Sequence, residues 1–91
     1  MTNRKMLIGS LSNDLYRVAS LAHRGSKKAA IRFLNESKRW VNELSSHKLE
    51  RYITNIIQDL ESDDTTDISE ERAEKLLMYS VLLQNYALHT K

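Results

Sequence analysis

Apolar residues recur along this chain at intervals of three and four positions, which is the spacing of one face of an α-helix. The pattern predicts four helices, over residues 4–24, 27–44, 47–61 and 69–88. The apolar faces of the first three consist of Leu7, Ile8, Leu11, Leu15, Val18, Ala19 and Ala22, then Ala30, Leu34, Ser37, Val41 and Leu44, then Leu49, Ile53, Ile56 and Leu60. Each of these three helices must bury its single apolar face against a neighbour.

The fourth predicted helix differs because its apolar residues surround nearly its whole circumference. A helix that is apolar on all sides is usually buried on all sides. A small four-helix domain cannot cover both the Tyr79–Tyr86 side and the Met78–Leu82 side, and each large apolar side chain left in water forgoes about 1.5–3 kcal/mol. We therefore predict self-association through Met78, Tyr79, Leu82 and Tyr86, most simply as a homodimer. The alternative is that helix four is the central helix and is covered by the other three.

The connections between the helices are short, which makes consecutive helices antiparallel neighbours. Gly25 has the position of a helix C′ residue, and Ser26 can cap the next helix, so together they predict a tight turn. We therefore predict an antiparallel, up-down four-helix bundle in which residues 1–91 form a single helical domain.

The other two boundaries have weaker signals. Ser45 and Ser46 mark the end of helix two, and either serine can cap helix three. Because neither Gly nor Pro occurs there, a three-helix arrangement with helices two and three continuous is the alternative. The acidic segment 62–67 is predicted as the longest loop, with Asp67 or Ser69 as the cap of helix four.

Composition agrees with the helical prediction. The 91 residues include no proline and only two glycines, too few turn residues for a strand-rich fold of this size. There is no cysteine, which excludes disulfides, thiol chemistry and cysteine-ligated metals. No apolar stretch reaches the length of about 18 residues needed for a membrane span. We therefore predict a soluble, cytoplasmic protein with no membrane association.

Charge is distributed unevenly along the chain. Residues 1–48 contain ten Lys or Arg and three Asp or Glu, whereas residues 49–91 contain four and nine. The cations cluster on the polar side of helix two and just before it, at Arg24, Lys27, Lys28, Arg32, Lys38 and Arg39. Such a basic face fits an acidic protein partner or a nucleic-acid backbone. The alternative is that the acidic half of the chain neutralises it.

Residues that carry catalysis or bind metals are not arranged in any recognisable pattern. His23, His47 and His89 are not three or four positions from one another, and the Glu-x-x-His pair that a di-iron bundle needs on each of two helices does not occur. Glu43 and His47 are four positions apart but lie on either side of the predicted break after helix two. The serines lie at helix ends or at small core positions and have no neighbouring His–Asp pair. We therefore predict no enzymatic activity, no cofactor, no metal and no small-molecule substrate.

One short motif suggests a different role. The sequence His23-Arg24-Gly25-Ser26 resembles the motif of histidine phosphotransfer domains, which are four-helix bundles with an exposed histidine followed closely by lysine, glycine and serine. In that family the histidine lies inside a helix and the glycine comes later. The resemblance implies phosphotransfer through His23.

The sequence thus predicts a non-enzymatic helical interaction module that self-associates through helix four and presents the basic face of helix two to an acidic partner. Nucleic-acid binding through that same face is the first alternative, and phosphotransfer through His23 is the second.

Overall fold

A computed structural model describes residues 3–62 and 67–89. They form four α-helices: α1 (Arg4–His23), α2 (Lys27–Leu44), α3 (Arg51–Glu61) and α4 (Glu70–His89). This confirms the all-α four-helix bundle, and the described residues include no strand. The alternative with helices two and three continuous is wrong, because six non-helical residues, 45–50, separate α2 from α3.

The apolar faces predicted for the first three helices are the faces that the bundle buries, except that Ala22 is half-buried and Leu49, also half-buried, lies before α3. In α1 the buried apolar residues are Leu7, Ile8, Leu11, Leu15, Val18 and Ala19, and in α2 the whole predicted set is buried, Ser37 included. In α3 they are Ile53, Ile56, Ile57 and Leu60. Helical periodicity was sufficient here because each helix has one apolar face and the bundle has one core.

α1 is the central helix of the bundle, because it packs against both α2 and α4. The Ser12 hydroxyl donates a hydrogen bond of 2.6 Å to the Ser80 carbonyl, and these small buried side chains let α1 and α4 approach closely. The Trp40 Nε1 donates to Asp14 Oδ2 at 2.8 Å, which ties α2 to α1. The alternative that helix four is central is therefore wrong.

The α1–α2 turn forms as predicted. Gly25 has a positive φ of 87°, a conformation that glycine adopts at little cost. Its N–H donates to the Ala22 carbonyl at 3.1 Å, and the Ser26 N–H donates to the Leu21 carbonyl at 2.8 Å. These two bonds are the Schellman motif that ends many helices. Ser26 has the N-cap position of α2, but its side chain makes no capping hydrogen bond.

The start of α3 differs from the prediction. The Ser45 and Ser46 hydroxyls donate to the carbonyls of Asn42 and Glu43, at 2.7 and 2.8 Å, so both serines complete the end of α2. Neither serine caps α3, which begins only at Arg51. The predicted start at residue 47 is wrong because serine next to a helix end bonds equally well to the carbonyls behind it.

The start of α4 is fixed by a serine. The Ser69 Oγ accepts a hydrogen bond of 3.0 Å from the Arg72 N–H, so Ser69 rather than Asp67 provides the cap. Ile68, just before it, is 1% exposed and anchors this end of the helix in the core. Residues 63–66 of the predicted acidic loop lie outside the described residues.

Candidate functional site

The four residues predicted to mediate self-association lie on two different sides of α4. Tyr79 and Tyr86 are 7% and 5% exposed and belong to the core, whereas Met78 and Leu82 are 51% and 38% exposed. Tyr86 packs edge-to-face against Tyr52 of α3, with ring centroids 6.3 Å apart. The structure therefore divides the predicted set: it brings Met78 and Leu82 together on the surface and covers both tyrosines within the chain.

A polar cluster fixes the Tyr79 side of α4 to α3. The Tyr79 hydroxyl donates to Asp59 Oδ2. The same oxygen accepts a hydrogen bond of 3.0 Å from Arg72 Nη1 and lies 3.5 Å from Lys75 Nζ. All three donors come from α4 and converge on one carboxylate of α3. The cluster therefore joins two helices and is not an open site for a ligand.

This cluster shifts the pKa of two of its members. Partial burial alone raises the pKa of Asp59. However, hydrogen bonds from Tyr79 and Arg72 and the charges of Arg72 and Lys75 outweigh burial, so the pKa lies below its usual range. Burial, followed by the hydrogen bond and charge of Asp59, raises the pKa of Tyr79 to about 12. At neutral pH the carboxylate is therefore charged and the tyrosine is a hydrogen-bond donor.

The exposed side of α4 carries large apolar residues from its middle towards its C-terminus, with charged residues before them and Gln84 and Asn85 among them. We call this side the α4 face; its large apolar side chains are 38–67% exposed and belong to Leu77, Met78, Val81, Leu82 and Leu88. The sequence prediction missed three of the five, Leu77, Val81 and Leu88. It selected two tyrosines, one methionine and one leucine, although the spacings of four and seven positions already place the three missed residues on one side of a helix.

The other exposed large apolar residues border this face. Met6 of α1 lines a groove with Leu88, and Tyr16 of α1 lines a groove with Leu77. On the opposite border, Tyr52 of α3 contacts α4 through Tyr86. Within residues 3–62 and 67–89, every large apolar side chain that is exposed therefore lies on the α4 face or beside it.

The predicted basic face is exposed but not continuous. Lys38 is half-buried, and the exposed members are Arg24, Lys27, Lys28, Arg32 and Arg39. Glu36 follows Arg32 by four positions, and the closest Arg32–Glu36 pair of atoms is 3.9 Å apart. Glu43 follows Arg39 by four positions, on the same side of α2. Acidic residues thus alternate with the cations along α2.

The most cation-rich part of this face is at the α1–α2 turn, where Arg24, Lys27 and Lys28 are all exposed. Further along the helix, the Arg39 guanidinium lies 4.4 Å from the centre of the Trp40 ring, in a cation–π contact. The positive surface is therefore compact and does not extend along the whole helix.

The three histidines are far apart along the chain and lie in three different elements. His23 is exposed as the last residue of α1, His47 lies in the segment between α2 and α3, and His89 is the last residue of α4. His23 is therefore at a helix end, unlike the histidine of phosphotransfer domains, which lies inside a helix. In the part of the chain that the structure describes, no three His, Asp or Glu residues are grouped in a way that would hold a metal ion.

None of the described helices combines the length and apolar character that crossing a membrane requires. The chain matches no protein-family model, and comparisons with curated proteins and with solved structures give no match either.

Proposed function

We propose that this protein is a non-enzymatic helical interaction module that self-associates through the α4 face. One observation carries the proposal: the exposed large apolar side chains of the described residues lie on or beside one helix. Apolar residues scattered singly over a surface need no explanation, whereas a contiguous apolar surface of this kind usually marks an interface. Full burial of each such side chain is worth about 1.5–3 kcal/mol, so covering the partly exposed ones recovers a fraction of that for each.

Sedimentation equilibrium at micromolar concentration tests the self-association. We expect a dimeric mass for the wild type and a monomeric mass for the double variant Val81→Gln, Leu82→Gln. Glutamine is a good helix former, so α4 should keep its helical circular dichroism. The control introduces glutamine at two exposed polar positions of α2, Lys28→Gln with Asn42→Gln, and should remain dimeric. A monomeric wild type throughout the micromolar range would contradict the proposal.

We further propose that the compact positive surface at the α1–α2 turn and along α2 binds an acidic protein segment. Arg24, Lys27 and Lys28 are exposed close together, which suits a short run of Asp or Glu. A nucleic-acid backbone is favoured less, because Glu36 and Glu43 interrupt the row of cations that would follow its phosphates. α2 and α4 pack on α1 as separate neighbours, so dimerisation through the α4 face leaves the outer side of α2 open. Lys27 also lines the groove between α1 and α4.

Fluorescence anisotropy with a labelled polyglutamate peptide, at about 50 mM salt where charge contacts are strongest, tests this second surface. The triple reversal of Arg24, Lys27 and Lys28 to Glu should abolish peptide binding. The matched control reverses three exposed cations elsewhere, Arg17, Lys48 and Arg51, and has the same net charge. Equal losses in both variants would show that only net charge matters. Tighter binding of duplex DNA than of the peptide would favour the nucleic-acid alternative.

A further inference from the structure

Two shallow grooves open between α1 and α4, one at each end of the α4 face, and they differ in chemistry. The groove beside the N-terminus of α4 has a volume of about 650 Å³ and is lined by Tyr16, Leu77, Glu70 and Glu74, with Lys27 on its far side at the α1–α2 turn. We call it the acidic groove, because the α4 wall that adjoins the α4 face carries both glutamates.

The groove at the opposite end, beside the C-terminus of α4, has a volume of about 430 Å³. Lys5 and Met6 of α1 and Leu88 of α4 line it, together with Gly9. We call it the lysine groove, because Lys5 is the charged residue in its lining. Both grooves are lined in part by large apolar side chains. The α4 wall of the acidic groove carries two glutamates, and the α1 wall of the lysine groove carries Lys5.

We propose that two copies of the chain associate antiparallel through their α4 faces, so that the acidic groove of each copy covers the lysine groove of the other. This inference rests on the proposed self-association and specifies its geometry. A twofold axis that lies between the two α4 helices near Val81 and Leu82, perpendicular to both, keeps both α1 helices at the same edge of the interface. It brings Lys5 of each copy next to Glu74 of the second copy, and Met6 and Leu88 next to Tyr16 of the second copy.

Charge favours this arrangement over the parallel one. In a parallel pairing the twofold axis runs along α4 and puts the two α1 helices at opposite edges of the interface, so Lys5 faces no Glu74 and each Glu74 lies nearest Glu74 of the second copy. Like charges directly opposed across an interface destabilise it and so select against the wrong geometry. The antiparallel pairing makes two opposite-charge contacts instead, one at each end of the apolar surface.

Gly9 independently supports the binding of a second copy at the lysine groove. It lies inside α1, where glycine costs about 0.5–1 kcal/mol relative to alanine. No atom lies within 4 Å of the position that its Cβ would occupy, so packing within the chain does not require a glycine. Its missing side chain leaves room beside Met6 and Leu88 for the large apolar groups of the acidic groove of a second copy.

Chemical cross-linking tests the direction of pairing, and it is simple to interpret because the chain contains no cysteine. We expect a short bismaleimide linker to join Lys5→Cys to Glu74→Cys in a mixture of the two single variants. Neither variant should cross-link efficiently to itself. As the control, Lys28→Cys on α2 should cross-link to neither.

Charge reversal provides a second readout that does not depend on cysteine. Lys5→Glu and Glu74→Lys should each raise the dimer Kd about tenfold at low salt, since each reversal creates two like-charge contacts per dimer. Mixing the two variants should restore the wild-type Kd, because both contacts in the mixed dimer again join opposite charges. The differences should shrink at about 1 M salt, where surface charges are screened. Circular dichroism checks that both variants stay folded.

The possible failures are distinguishable. Glu74→Cys cross-linking to itself, or reversals that leave the dimer Kd unchanged, would overturn the antiparallel arrangement while self-association stands. A wild type that is monomeric in sedimentation would overturn the self-association itself.

Discussion

The two glycines of this chain have opposite structural roles. Gly25 ends α1 with a positive φ of 87°, and the Schellman turn depends on that conformation. Gly9 has ordinary helical geometry in the interior of α1 and open space around its missing side chain. A single residue type therefore shapes the turn at one position and leaves a groove open at the other.

Alanine at these two positions should change the stability of the chain in opposite directions. Gly9→Ala should raise the free energy of unfolding by about 0.5–1 kcal/mol, because alanine favours the helix and meets no neighbour. Gly25→Ala should lower it by about 1 kcal/mol or more, since a positive φ strains an alanine. Urea denaturation of both variants, at a concentration where the wild type is monomeric, measures the two changes. Equal signs would contradict the assigned roles.

Asp59 connects α3 to three side chains of α4, so its charge contributes to stability. Its pKa is lowered in the folded chain from a usual 3.8, which means that the folded state favours the carboxylate. This contribution is complete above pH 3.8 and is lost as the pH falls through the lowered folded-state value. Tyr79 affects stability at alkaline pH, because its pKa is raised from 10.0 to about 12 in the folded chain. Its contribution to stability is complete below pH 10.0 and is lost as the pH rises towards 12.

The variant Asp59→Asn should therefore lose about 1–2 kcal/mol of unfolding free energy at neutral pH. This loss is smaller than for a fully buried cluster, because solvent screens the partly exposed charges. The difference between the variant and the wild type should shrink as the pH falls below 3.8, where the wild-type carboxylate also becomes neutral. Denaturation at a series of pH values measures this. A difference that stayed constant through acid pH would mean that the charge of Asp59 has no part in the effect.

At the scale of a helix, α4 has one face in the core and one face in solvent, although its sequence is apolar on both. Leu82 and Leu83 are adjacent in the chain and identical in type, yet Leu82 is 38% exposed and Leu83 is completely buried. α1 and α3 cover the inner side of α4, and none of the residues that the structure describes covers its outer side. Substituting these two leucines one at a time therefore tests the core and the α4 face separately.

Alanine substitution of these two leucines should have different effects. Leu83→Ala should cost about 2–5 kcal/mol of unfolding free energy, because it leaves a cavity in the core. Leu82→Ala should change the unfolding free energy of the monomer by less than about 1 kcal/mol and should weaken dimerisation. Chemical denaturation at low concentration and sedimentation at micromolar concentration measure the two quantities. A large loss of monomer stability in Leu82→Ala would show that this side of α4 is covered within the chain.

At the scale of the whole molecule, the position of α1 decides which surfaces are available. Because α1 packs between α2 and α4, the outer sides of these two helices are separate surfaces. The positive surface of α2 and the apolar α4 face are therefore different parts of the molecular surface. In the proposed function, one binds an acidic segment and the other pairs with a second copy.

The residue pattern alone was enough to predict the four helices and most of the buried residues. Periodicity identified the buried faces of α1, α2 and α3, and glycine fixed the α1–α2 turn, because these features depend on residues close together in the chain. The pattern did not identify where α3 begins after Ser45 and Ser46, because a serine hydroxyl can bond either to the helix before it or to the helix after it. Here both hydroxyls bond to carbonyls of α2.

Which side of α4 is exposed depends on how the helices pack against one another, and the residue pattern did not predict it. The sequence placed Tyr79, Tyr86, Met78 and Leu82 together as surface candidates, because helical spacing shows which residues share a side but not which side meets a neighbour. Packing against α3 through Asp59 and Tyr52 buries the two tyrosines. Packing against α1 covers the small residues, such as Ser80. The apolar α4 face is what these two contacts leave uncovered.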